Sequence, residues 1–347
     1  MSIFRRRPVT ALRAEAVAPT RRQLLALGCA CCVASGLPIS EAVAQSPAVQ
    51  RHLALAREAA GEDLRHLMRL GEEASPTPGL RLPTPNEQRA LPTPPPAKAF
   101  DNLVFLGNHW VSAWALLTSD GIILIDGMDN DAMAERDIEG GLRRMGLDPA
   151  QVKLVIVTHG HADHYGGCGH FTRRYGTRVV MSETDWQMME SGRLEFDRPE
   201  LGRPPRRDIS VTDGSEVRLG DTVVTILSTP GHTRGTISLI FDLKQGSATH
   251  RAMLWGGTSF NFGRQPDRIP RLQSYIDGTA RARDVAGQRT IDVFLSNHAS
   301  FDQAIIKLDA MRQQGGANPF VNGVPVTQRA LTVMHECARA TMAAWTA

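Results

Sequence analysis

From Asn102 onward, short apolar runs alternate with turn signals. NLVFLG (102–107) and VSAWALL (111–117) have the composition of strands, TSDG (118–121) predicts a hairpin turn through Asp120 and Gly121, and IILID (122–126) predicts a buried strand. NDAMAERDIEGGLRRMG (130–146) predicts a helix that ends at glycine, and VKLVIVTH (152–159) is a continuous apolar strand. CGHFTRRYG (168–176) reads as a helix, RVVMS (178–182) as a strand and SETDWQMMES (182–191) as a helix capped by Ser182. A second batch of strands follows: SEVRL (215–219), TVVTILSTPGHT (222–233) after a Gly220–Asp221 turn, ISLIFDL (237–243), RAMLWGG (251–257) and IDVFLSN (291–297). RLQSYIDGTARARDVAG (271–287), FDQAIIKLDAMRQQ (301–314) and TQRALTVMHECARATMAAW (327–345) have helical spacing. These helices are too long and amphipathic for an all-β protein. The order predicts an α/β fold in which two mixed sheets pack together with helices outside.

Before this body the pattern changes. Residues 48–70 place Leu53, Ala56, Ala60, Leu64, Leu67 and Met68 at helical spacing and predict a single helix. Ser75 to Lys98 carries eight prolines, which predicts a linker or an extended wrap and no core element. The expected division is residues 1–44, 45–74 (a helical segment), 75–99 (the Pro-rich linker) and 100–347 (the main domain), in keeping with a 347-residue chain of one large domain plus appendages.

The net charge of +3 is unevenly placed. Residues 1–44 hold six arginines against Glu15 and Glu41, and the remainder carries 33 basic and 34 acidic residues. The body therefore gives no reason to expect a nucleic-acid partner. TRRQLLALGCACCVASGLP sets the pair Arg21–Arg22 before an apolar stretch, and AVAQS (42–46) offers an Ala-x-Ala site with cleavage after Ala44. That order predicts a twin-arginine leader and an exported, periplasmic protein. No later apolar run is long enough to span a bilayer. Cys29, Cys31 and Cys32 would leave with the leader, so Cys168 and Cys337 remain, expected as two free buried thiols.

The chemistry concentrates at THGHADHYGG (158–167), which packs His159, His161, Asp163 and His164 into six positions at the end of a buried strand. Residues two apart in an extended segment share a face, so His159 and His161 point the same way, and the turn that follows can bring Asp163 and His164 close by. Imidazole and carboxylate are zinc ligands. The motif alone completes neither one site nor two. His232 in TPGHT and His298 in SNHASFD lie at further strand ends. Five histidines and one aspartate suffice for two three-ligand sites that keep open positions, the mark of catalytic zinc. His52, His66, His170, His250 and His335 stand alone and are expected to be ordinary polar residues on the surface.

THGHADH, PGHT and SNHASFD, in this order and spacing, resemble the metallo-β-lactamase fold superfamily over about Asn102 to Ala310. The resemblance implies a four-layer αββα sandwich with two zinc ions at one edge between the sheets. It places His159, His161 and His232 on one zinc, and Asp163, His164 and His298 on the other. It implies hydrolysis by a metal-bound hydroxide, with Asp163 orienting the hydroxide and relaying its proton. His109 and Trp110 lie in a turn that this fold sets near the metals, where substrate contact and a solvent-exposed turn both stay open.

Glyoxalase II and lactonases of this superfamily resemble one another in an extra metal-bridging aspartate at a strand end. Here that strand ends LWGGTSF, with Gly257 or Thr258 in the place. The β-lactamases also lack the bridge. Their third (B-three) subclass uses the His-x-His-x-Asp-His set with nearby hydroxyls for a substrate carboxylate, a part Thr258 and Ser259 would fill. SAWALLTSDGIILIDG also resembles that subclass, and export suits it. A cysteine pair placed as in those enzymes is absent. The expectation is an exported zinc β-lactamase. A periplasmic lactonase or esterase and a non-enzymatic zinc-binding protein are the alternatives.

Overall fold

The computed structural model describes residues 46–74, 85–314 and 316–347. The leader expected at 1–44, with its arginine pair and cleavage site, lies outside the described residues.

Seven strands form the first sheet in chain order: β1 (Ala97–Phe100), β2 (Leu103–Phe105), β3 (Trp114–Thr118), β4 (Gly121–Ile125), β5 (Val152–Ile156), β6 (Arg178–Ser182) and β7 (Ile209–Val211). β1 to β4 run antiparallel, and β4 to β7 run parallel. The second sheet has the order β12-β11-β10-β9-β8, from β8 (Glu216–Leu219), β9 (Thr222–Ser228), β10 (Ile237–Gln245), β11 (Ala248–Trp255) and β12 (Val293–Ser296). Only its β11–β12 pair is parallel.

Period-two alternation explains why the strands looked apolar throughout. In β4, Ile123 and Ile125 face the layer between the sheets with Phe105, Trp114, Ile226, Leu239 and Leu254. Ile122 and Leu124 face the helices outside. A sheet covered on both faces needs apolar residues at both parities. The first sheet is covered by a helical stretch at Asp131–Arg144 and by α3 (Cys168–Tyr175) and α4 (Glu183–Glu190), after the short α2 (Ala162–Tyr165). Ser182 caps α4 as expected, its hydroxyl accepting the Asp185 N–H. The second sheet is covered by α5 (Arg268–Gln288) and α8 (Val324–Trp345). The fold is the expected αββα sandwich.

Four expectations are corrected. The single helix at 48–70 is two elements: α1 (Pro47–Ala60) ends at Gly61, whose φ of 52° breaks the spiral, and Arg65–Glu73 forms a 3₁₀ helix. The 301–314 helix is also split, into α6 (Ala299–Asp302) and α7 (Ala304–Gln314). Gln303 there is left-handed, and Asp302 Oδ1 accepts the Ala304 N–H at the start of the new helix. The Pro-rich stretch is not all linker: its end is strand β1, with Ala99 and Phe100 buried and paired to β2. The short edge strand β7 was not foreseen, because Ile209–Val211 carries too few residues for a period. α1 buries Val49, Leu53, Ala56 and Ala60 along one face, and it packs on α8. No described helix is long and apolar enough to cross a membrane.

Candidate metal centre

The histidine-bearing loops converge at one edge of the sandwich. β5 ends at Ile156, His159 and His161 follow in the loop, and α2 turns Asp163 and His164 back toward them. The chain must pass tightly here: a Cβ on Gly166 would lie 2.0 Å from the Asp129 carbonyl oxygen, so only glycine fits. His232 follows β9, and His298 follows β12. The five rings are almost completely buried, His298 being the most exposed at 6%.

The inward atoms make two triangles. His159 Nε2, His161 Nδ1 and His232 Nε2 lie 3.1 Å from one another on all three edges. His164 Nε2 and His298 Nε2 are 3.2 Å apart, and Asp163 Oδ2 lies 3.6 Å and 3.9 Å from them. His159 stands where the triangles meet: it also groups with Asp163 and His164 in a cluster whose ligand atoms lie within 4.8 Å.

The outward nitrogens are all engaged. Nδ1 of His159 donates to the Gly256 carbonyl (2.7 Å), Nδ1 of His232 to the Ser259 carbonyl (2.8 Å) and Nδ1 of His298 to the Trp110 carbonyl (2.6 Å). His164 Nδ1 meets Asp126 Oδ2 at 2.8 Å, and His161 Nε2 meets Glu195 Oε2 at 3.1 Å. A proton held on each outer nitrogen leaves each inner one with a lone pair. Burial first, and then the neighbouring imidazoles, hold the pKa values of His159 and His232 well below the ordinary range, which keeps both rings neutral. Burial pushes His164 the same way, but Asp163 and Asp126 outweigh it and raise its pKa. Five converging imidazoles with one carboxylate form a donor set that fits a divalent metal.

Three carboxylates hold the loops. Buried Asp126, at the end of β4, accepts from the Thr158 N–H and hydroxyl as well as from His164. Asp185 accepts from the Gly160 N–H, the Thr233 hydroxyl and the Gly235 N–H, tying the first histidine loop to the second. Glu195 pairs with both His161 and Arg271; burial opposes its charge, but these partners draw its pKa down to about 2. None of the three was singled out from the sequence. Asp126 had a signal, a polar residue closing an apolar strand, the same signal that marked the histidines. Asp185, Glu195 and Arg271 had none, since charges in a helix or polar loop look like surface.

All six expected ligands are brought together. Trp110 is 1% exposed, and its indole N–H donates to Asp163 Oδ2 at 3.0 Å, so it is neither a solvent-exposed turn nor an open wall. His109 is half-buried, bonded to the Pro92 carbonyl, and burial lowers its pKa. Thr258 and Ser259 are buried: the Thr258 hydroxyl meets Ser296, its carbonyl accepts from Tyr275, and the Ser259 carbonyl accepts from His232. Cys168 and Cys337 are free and buried. His170, read as surface, is buried against Glu139 at 2.5 Å, away from the centre.

Residues 108–245 match the family described as the metallo-β-lactamase superfamily. Among solved structures, BJP-1, a subclass B3 metallo-β-lactamase of Bradyrhizobium japonicum, is 26% identical at a TM-score of 0.60, over 68% of this chain and 90% of that one. Native FEZ-1 metallo-β-lactamase from Legionella gormanii is 24% identical at a TM-score of 0.58, over 69% of this chain and 93% of that one. Among curated proteins, the hydroxyacylglutathione hydrolase of Rhodopseudomonas palustris (strain BisA53) is 32% identical over 109 residues, 31% of this chain and 34% of that protein. The chain spans only about a third of that relative's length. Residues 108–245 are thus a metallo-β-lactamase superfamily domain, consistent with a metal-dependent hydrolase, and the fold that carries them is similar to that of subclass B3 metallo-β-lactamases.

Proposed function

We propose that this hydrolase binds two zinc ions and opens β-lactam rings, acting as an exported, periplasmic β-lactamase. His159, His161 and His232 would hold one ion, and Asp163, His164 and His298 the other. Bound zinc would supply Lewis acidity and an ionised water near neutral pH. The chain's own residues do the rest. Carbonyls and carboxylates fix the rings before substrate arrives, so little reorganisation remains at the moment of reaction. Asp163 is the one carboxylate inside either triangle, and the Trp110 indole holds it in place. It can therefore take and return a proton beside the reacting atoms. The Phe196 ring, 40% exposed and 5.0 Å from the His161 ring, offers an apolar contact for substrate.

The observation that favours a lactam over a glyoxalase II or lactonase substrate is at Gly257. A Cβ there would lie 2.6 Å from the His232 Cβ, which leaves no room for a bridging carboxylate. The next residue, Thr258, turns its hydroxyl to Ser296. The curated relative favours the second reading, hydrolysis of a glutathione thioester. Support for export is the leader-like order of residues 1–44.

The test is a side-by-side assay of zinc-loaded protein on a penicillin, a cephalosporin, a carbapenem, an acyl-homoserine lactone and a hydroxyacylglutathione. The proposal expects the highest kcat/KM on a lactam. A higher value on the thioester or the lactone, or no lactam turnover, overturns the lactamase reading and leaves the metallo-hydrolase.

A further inference from the structure

Four of the five histidines at the centre turn Nε2 inward and Nδ1 toward a partner close to the backbone. His161 is reversed, with Nδ1 inward and Nε2 outward. A ring inserted this way carries its outer N–H at its far tip. The partner it finds there is Glu195, from the segment after α4.

Glu195 is held in turn. Arg271, in the first turns of α5, meets it end-on, Nη1 to Oε1 at 2.8 Å and Nη2 to Oε2 at 3.3 Å. The same guanidinium donates through Nε to the Gly231 carbonyl at 3.1 Å and through Nη2 to the His232 carbonyl. The Arg271 side chain is 4% exposed, and its guanidinium carbon lies 4.5 Å from the centre of the Phe262 ring. One buried fork thus grips the carboxylate behind one ligand and the backbone that carries another. A planar guanidinium suits this work because its donors are fixed in direction.

We propose that Glu195 and Arg271 form a clamp that positions the three-histidine group: Glu195 fixes His161 with Nδ1 inward, and Arg271 locks Glu195 to the His232 loop. The proposal rests on the metal-ligand reading of His161. Both residues are positioning residues, since their contacts run through the ligands. Without the clamp, the His161 ring can flip to present either nitrogen, and each metal-binding event must first reselect one.

The experiment measures zinc affinity against a competing chelator in two backgrounds. His298→Ala leaves the three-histidine group to be read, and His232→Ala leaves the Asp163 group. Adding Glu195→Gln, nearly isosteric, should weaken zinc about 10- to 100-fold in the first background, the usual effect of losing an outer partner of a ligand. It should leave the second background unchanged. Arg271→Lys, which keeps the charge and loses the fork, should weaken the first background by less. Melting temperatures without metal report whether each variant folds. Unchanged affinity in the first background, or equal weakening in both, overturns the clamp and leaves the zinc sites standing. If the His298→Ala parent takes up no zinc, the ligand reading falls and the clamp with it.

Discussion

The two ligand triangles come from the same loops, but their charge is arranged differently. In the three-histidine triangle no inward donor is a carboxylate. Two rings lean on backbone carbonyls, and the one carboxylate, Glu195, stands outside behind His161. In the other triangle a carboxylate, Asp163, is itself an inward donor, and a second, Asp126, stands behind His164. The titration behaviour follows: His159 and His232 are pushed toward the neutral form, while His164 is pulled toward the charged one. A cage of imidazoles alone leaves the full charge of a bound cation to polarise what it touches. A cage with an internal carboxylate offsets that charge and adds a group that accepts protons.

The comparison predicts unequal effects from similar substitutions. The largest expected effect is Asp163→Asn, which removes the only inward carboxylate and keeps the shape. Turnover should fall ~100-fold or more, the low end for loss of a positioned acid–base group, with metal retained at the three-histidine group. Steady-state kinetics with metal analysis checks this, and near-normal kcat would erase the distinction between the triangles.

Asp126→Asn should act next in size. It weakens the support of His164 from outside, so zinc affinity of the Asp163 group should drop about 10- to 100-fold while the three-histidine group is spared. The measurement is a chelator competition in the His232→Ala background. This mirrors the Glu195 experiment on the opposite triangle, so the pair together sharpens the contrast: each outer carboxylate should weaken its own triangle and not the other. An Asp126 substitution that loosened both would mean that its bonds to Thr158 hold the whole loop, not one ligand.

Much of this contrast was legible in the chain. The apolar runs marked ten of the twelve strands among the described residues because they are separated by polar turn and helix segments, and the histidines stood out because they close buried strands. β1 was hidden by the prolines just before it, which suppress a strand pattern although the last residues before Asp101 pair with β2. The break at Gln303 was hidden because Asp302 is an ordinary helix residue until its side chain is seen accepting from Ser296 and Ala304. The supports of the centre were the least legible. Glu195 and Arg271 are separated by 76 positions and meet only through tertiary packing. Thr258 and Ser259 had the residue types to meet a substrate, yet their backbone carbonyls serve the site by holding Tyr275 and His232.

The central claim is that the six donors form two separate metal sites. Zinc content per chain, measured on purified wild type, His232→Ala and His298→Ala, tests it most directly. The account predicts two ions in the wild type and about one in each variant, since each histidine belongs to a different three-ligand set. Full retention of zinc by both variants, or its complete loss in either, would contradict it.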